Sequence, residues 1–578
     1  MPNPSKPFEL GLVMAGAVSA GAYTAGVLDF LFQALEEWQK EKDSKNPAVP
    51  DHALRVSVAA GASAGGIATA LSALSAFTWP GPLDIATLPY GAAPPAAAAN
   101  HALYRSWVSA IDIVPLLGTR DLQAKDAKLV SLLDGTPLRE IAEAAANQAA
   151  AAIQAGGTSR FAWMGNPLQL ILTVSNLRGV PYLLPLQAAD SLRGHRMVNH
   201  ADYAHFAVFG TGPGVPDLAP EGTTPLNKVG AVDFSRLVDA ALATSAFPVG
   251  LPPRRFSNPL SLYKNRRWPV PGAPQGTLLA PDLSAAAPDP WSFPAVDGGA
   301  LYNEPVGLAR QAMLPGGAMA TAGAAASRAI LMIDPFPEGE DAADPADPGD
   351  PDLIGVALGV LNVLKNQARF HPDDVAAALS DTDFSRFLIA PSREKSAAGQ
   401  TAMASAGLGG FAGFLHEDFR RHDFQLDRHN CQKFLRDHLA LPVGNPLVAD
   451  WIARSGGMGG AVGDFHPKVL RDGVFEPDRG FIQLIPLVGS AVDPVGLLPW
   501  PRQGEAVLGK RLAGPLKARA RGVAEALAKK ILGEQVPDPG TGTIDIGPGL
   551  LANAFAGWIR NLAEKSIFGD LKARDLLR

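Results

Sequence analysis

An α/β core on a mainly parallel sheet is the fold class the sequence predicts, and three observations predict it. Short apolar runs at Phe8 to Met14, Arg55 to Ala60, Leu168 to Val174 and Ile330 to Ile333 read as buried strands. The first two pass through small-residue turns into segments of helical periodicity, and strands alternating with helices build parallel sheets. From residue 353 onward the chain reads as mostly helical.

Taken in order, Phe8 to Met14 is followed by Val27, Leu28, Leu31, Phe32 and Leu35 on one helical face, with Glu36, Glu37 and Lys40 closing the segment. Arg55 to Ala60 leads into Gly65 to Phe77, where Ile67, Ala70, Leu71 and Leu74 share a face and Pro80 stops the helix. Phe481 to Pro486 is a further strand candidate. The apolar stretch from Gly11 to Leu35, with Lys6 ahead of it, resembles a signal peptide. Gly16, Gly21, Gly26 and Asp29 interrupt it, which argues for a folded element. No stretch has the 18 or more uninterrupted apolar residues of a membrane span. The expectation is a soluble, cytoplasmic chain for which a peripheral membrane contact stays open.

With 47% hydrophobic and 18% charged residues, the 578-residue chain is of the globular class and long enough for two or more structural units. A formal net charge of −6 supplies no footprint for nucleic acid. Cys431, the single cysteine, forms no internal disulfide. Residues 1–337 are expected to form the α/β core, with Pro-rich inserts near 80–160 and 252–290. These are either surface loops or a cap over an apolar pocket. Residues 338–352, carrying Asp341, Asp344, Asp347 and Asp350 among prolines, read as a solvated linker rather than a calcium loop. Residues 353–578 complete the core or the cap. Within them Leu516, Val523, Leu527 and Ile531 mark a helix expected to pack on the core rather than lie on a membrane surface.

The sharpest chemical signal is Gly61-Ala62-Ser63-Ala64-Gly65 between a strand and a helix. A nucleophile elbow holds its serine in a tight, strained turn, so its neighbours must be nearly free of side chains. The following helix directs its N-terminal amides to where negative charge develops in acyl transfer. A serine also needs a base. None of the eleven histidines sits in a telling motif, and His422, His429 and Cys431 lack the paired spacing of a zinc site, so neither metal nor cofactor is expected. Val296-Asp297-Gly298-Gly299 is a further candidate: an apolar run ends at an acid that two glycines allow backbone to approach.

Together the motifs resemble the patatin-like phospholipase family, in which a Gly-x-Ser-x-Gly serine pairs directly with the aspartate of Asp-Gly-Gly or Asp-Gly-Ala. Gly21 to Leu28 is similar to that family's first helix. Ala243-Thr244-Ser245-Ala246-Phe247-Pro248, followed by Pro252-Pro253, is similar to its small-residue helix and proline turn. Asp297-Gly298-Gly299 with Asn303 and Pro305 is similar to its aspartate loop. The resemblance spans roughly residues 8–335 and implies a three-layer sandwich around the central sheet. It implies Ser63 as nucleophile, Asp297 as general base, Gly61 and Gly65 as the elbow, and a lipid or other acyl-ester substrate. The backbone of Gly16, Ala17 and Val18 would form the oxyanion hole. Here the chain departs from the family's Gly-Gly-Gly-x-Arg-Gly, reading Gly16-Ala17-Val18-Ser19-Ala20-Gly21 and resembling a bacterial Val-Ser variant. Loss of one oxyanion donor costs about 10² to 10³ in rate, so the departure bears on efficiency more than on reaction class. Two alternatives stand beside a Ser-Asp lipid hydrolase. One is a Ser-His-Asp esterase drawing on a histidine such as His416. The other is an interaction or membrane-recruited protein with little turnover.

Overall fold

The structure is a computed structural model that describes residues 6–123, 128–157, 161–185, 194–210, 219–227, 232–269, 278–315, 317–336, 363, 376–393, 402–457, 460–471, 474–532 and 564–578. The predicted linker 338–352 lies outside the described residues. Five parallel strands form the centre: β1 (Phe8–Met14), β2 (Leu54–Gly61), β3 (Met164–Pro185), β8 (Arg328–Ile333) and β9 (Arg386–Ile389), in the order β9-β8-β1-β2-β3. Beyond β3 the sheet continues through β4 (Gly194–Val208), antiparallel to β3, and β5 (Thr224–Pro225), parallel to β4. On its other side β3 also pairs antiparallel with β7 (Trp291–Asp297), which pairs with β6 (Arg254–Asn258).

Both faces of the parallel centre are covered, which is why its strands read as continuous apolar runs. Leu12, Met14, Leu331 and Ile333 point into the larger core. Helices α1 (Gly21–Asp43), α2 (Ser63–Thr78) and α6 (Glu417–Asp437) cover that face. Val13, Val58, Ile330 and Met332 point the other way, against α5 (Val306–Met313). Helices α3 (Thr136–Gln154) and α4 (Ser235–Thr244) pack beside α2. The arrangement is an α/β sandwich on a mainly parallel sheet with a largely helical C-terminal region.

That C-terminal region is woven into the first core. Helix α6 lies along α1, and a Cβ on Gly26 would sit 2.2 Å from the Phe424 carbonyl oxygen, so only glycine permits the approach. Asp29, the acid that breaks the N-terminal apolar stretch, is fully buried and pairs with Arg428 of α6. It also accepts from His101 Nε2 (2.7 Å), Trp79 Nε1 (2.9 Å) and the Leu83 amide (3.0 Å). Helix α7 (Glu505–Leu532) packs on the protein through Val523 and through buried Arg519, which donates to the carbonyls of Gly118, Ser131 and Leu132.

Within the insert at 252–290, Arg254–Asn258 adds strand β6 to the sheet, with Phe256 and Asn258 buried and Arg255 and Ser257 exposed. The surrounding prolines mask that two-residue alternation. The strand expected at 481–486 covers only Phe481–Gln483 and pairs with Ala440–Pro442 in a separate ribbon. Leu484 and Ile485 are fully buried without being strand, and periodicity alone does not separate the two cases.

His52 also links the two halves, its Nε2–H donating to the Leu484 carbonyl at 2.9 Å while Nδ1 is buried without a partner among the described residues. Burial lowers its pKa from the ordinary 6.5 to about 4. Between these values the unfolded chain binds a proton that the folded chain refuses. Stability is therefore expected to fall as pH drops through that window, by at most about 1.4 kcal/mol per pH unit from this residue. Urea titrations from pH 7 to 4 should show a shallower slope in His52→Gln, which keeps a donor and does not titrate.

Candidate active site

The site lies at the carboxyl ends of the parallel strands, where open α/β sheets place their ligands. Strand β2 ends at Gly61, Ala62 turns the chain, and α2 begins at Ser63. Ser63 has φ = 52°, a left-handed conformation that costs a non-glycine residue about 1–3 kcal/mol. Packing enforces it. A Cβ on Gly65 would lie 2.1 Å from the Met14 carbonyl oxygen, and one on Gly61 would lie 2.4 Å from that of Gly65. The Ser63 amide donates to Thr244 Oγ1 (2.9 Å) at the end of α4.

Strand β3 brings the acid to the serine. Along the edge of β3 that faces away from β4, Leu172 pairs with Gly61, and Val174, two residues on, pairs with Asp297. Ser63 Oγ donates to Asp297 Oδ2 at 2.7 Å. The second carboxylate oxygen accepts from the Gly299 amide at 2.7 Å, which fixes the carboxylate plane. The Asp297 amide donates to Ala246 O (2.9 Å), and its carbonyl accepts from Ser175 Oγ (2.8 Å). Ser63 and Asp297 are both buried.

The loop after β1 completes the enclosure. Gly16, Ala17 and Val18 line a small cavity together with Ser63, Asp297, Gly299 and Asn303. Among the described residues, their three amides donate to no protein acceptor. Ser19 anchors the loop to the C-terminal region: its amide donates to Gly410 O (3.0 Å), its hydroxyl donates to the same oxygen, and it accepts from the Gly413 amide (3.0 Å). Ala20, where the resemblance leads one to expect arginine, is fully buried.

A larger cavity opens from the other side of Ser63, about 990 Å³ of space between atoms with its mouth included. Its wall is almost wholly apolar. Ile67, Ala70, Leu71 and Leu74 come from α2, Leu138 and Ile141 from α3, and Leu237 and Ala241 from α4. Trp107 and Ile111, from the insert at 80–160, also line it. So do Phe411 and Phe414 of the C-terminal region, with no sequence motif to announce them. No histidine lines either cavity among the described residues. His416 instead caps α6, its Nδ1 accepting from the Asp418 amide at 3.1 Å.

In the sequence Thr244 is one residue of the small-residue motif 243–248, and its contact with the Ser63 amide depends on where α4 ends. Thr244→Val, nearly isosteric, leaves the Ser63 amide buried and unpaired. It is expected to cost about 1–3 kcal/mol of stability in a urea titration.

An α/β sheet that presents a serine on a strained strand-to-helix turn, against a carboxylate and beside an apolar cavity, defines the class of protein. The profile described as Patatin-like phospholipase matches residues 12–310. Over 564 residues the chain is 35% identical to the uncharacterized protein y4iI of Sinorhizobium fredii (strain NBRC 101917 / NGR234), an alignment covering 90% of this chain and 77% of that protein. The chain belongs to the patatin-like phospholipase family, a family of lipid acyl hydrolases. No helix among the described residues is long and apolar enough to cross a membrane.

Proposed function

We propose that the protein cleaves fatty-acyl ester bonds of phospholipids or related lipids through a Ser63–Asp297 dyad and an acyl-enzyme. The observation that carries this reading is the 2.7 Å hydrogen bond from Ser63 Oγ to a buried carboxylate at the edge of an apolar cavity. Asp297 takes the hydroxyl proton as Oγ attacks the ester carbonyl carbon. The carbonyl oxygen, now negative, is held by the amides of Gly16, Ala17 and Val18. Collapse breaks the bond to the alcohol, which leaves with the proton from Asp297. Water then attacks the acyl-enzyme, giving a proton to Asp297, and breakdown returns it to Ser63 Oγ with release of the fatty acid. The absence of histidine from the described lining of both cavities favours the dyad over a Ser-His-Asp arrangement.

The test pairs two measurements on the full chain: labelling by a fluorophosphonate and fatty-acid release from phosphatidylcholine vesicles and short p-nitrophenyl esters. Labelling at Ser63 with turnover of either substrate is the expected result. An unlabelled Ser63 with silence on both substrates would favour a binding or membrane-recruited role. Undiminished turnover in Ser63→Ala would remove the site assignment.

A further inference from the structure

We infer that the larger cavity is a ruler for a single acyl chain of medium length, with Ala70 and Leu74 setting where the chain must end. The inference rests on the proposed hydrolase reading and adds a substrate class to it. Its basis is the way the cavity follows one helix. The lining residues of α2 are Ser63, Ala64, Ile67, Ala70, Leu71 and Leu74, a stripe at helical spacing that starts at the serine. At about 1.5 Å per residue, Ser63 to Leu74 covers about 16 Å.

Helix α4 supplies an independent measure. It ends at Thr244, beside the Ser63 amide, so it runs away from the serine toward its own start. Its lining residues reach back from Ser245 to Leu237, about 12 Å at the same rise. At the far end Leu71, Leu74, Leu237 and Val238 are all buried, so the cavity closes there on the core. An extended alkyl chain of C–C bonds of about 1.52 Å at about 111° advances about 1.25 Å per carbon, so a depth of about 12–16 Å takes about ten to thirteen carbons.

The wall also shows what keeps the space open. Ala70 on α2 and Ala241 on α4 are small residues among leucines, isoleucine and valine. Ala70 stands about 10 Å along α2 from Ser63, so a larger side chain there would stop an acyl chain near its eighth carbon. Leu74 lies a turn deeper and forms part of the floor. Its removal lengthens the space.

The experiment is a binding series on full-length Ser63→Ala, which holds substrate without turning it over. The probes are 1-acyl-glycerophosphocholines below their micelle concentrations, with chains of about six to eighteen carbons. Affinity is expected to rise about fourfold per added carbon, equivalent to about 0.8 kcal/mol per buried methylene, and to level off near twelve carbons. Ala70→Leu in the same background should move that plateau down to about eight carbons. Leu74→Ala should move it up by about two. Opposite shifts from two core substitutions do not come from a general loss of fold. A plateau unmoved by both variants, or affinity that climbs unbroken to eighteen carbons, would overturn the inference. Because binding is read without catalysis, a chain that shows the plateau yet never hydrolyses esters defeats the hydrolase reading alone. Turnover with no chain-length plateau defeats this one alone.

Discussion

Asp297→Asn is expected to reduce hydrolysis of a short p-nitrophenyl ester by about 10³-fold or more while the protein stays folded. The two oxygens of Asp297 have separate tasks, which makes asparagine a clean probe. One accepts from the Gly299 amide at 2.7 Å, and the asparagine oxygen replaces it there. The other accepts from Ser63 Oγ at 2.7 Å, and there asparagine presents an NH₂ group that cannot take a proton. The backbone contacts of residue 297 with Ala246 and Ser175 do not depend on the side chain. Ser63→Ala should fall at least as far, since no hydroxyl remains to attack. The double variant should be no slower than the slower single one, because residues acting as one unit are not additive. Steady-state kinetics with a thermal melt of each variant decides the matter. Near wild-type turnover in Asp297→Asn would show that some other group accepts the proton.

The largest stability effect is expected at Asp29. Asp29→Ala removes a carboxylate that holds Arg428 and accepts from His101, Trp79 and the Leu83 amide, all in the interior. Breaking a buried pair by deleting one partner costs about 3–5 kcal/mol, because the remaining charge has neither water nor counter-charge. Against a usual total stability of about 5–15 kcal/mol, that is a large fraction. Adding Arg428→Met should recover part of the loss by removing the stranded charge. Recovery stays incomplete because His101 and the Leu83 amide still lose the acceptor that Asp29 provided. Urea midpoints for wild type, single and double variants measure this, and a single variant within about 1 kcal/mol of wild type would contradict it.

The same residue shows where local reading stops. In the sequence Asp29 is only a polar break in an apolar stretch. Its partner, Arg428, is some four hundred positions away on α6, and no periodicity connects them. The apolar stripe Ile67, Ala70, Leu71 and Leu74 was legible as a helix face. Whether such a face meets core or cavity depends on what packs opposite, here α3, α4 and two phenylalanines from the far end of the chain.

What the sequence determined by itself was local. Alternating strands and helices specified an α/β core, because a strand buried on both faces must be apolar along its whole length. The small residues around Ser63 specified a tight turn, because no larger side chain fits beside a left-handed serine. Only the tertiary structure decided which residues meet. The edge of β3 that pairs first with β2 and then with β7 delivers Asp297 to Ser63, and the C-terminal region clamps Ser19 and closes the acyl-sized cavity with Phe411 and Phe414. Pairings of that kind are set by packing between distant segments, where many apolar sequences satisfy the same contact and leave no motif behind.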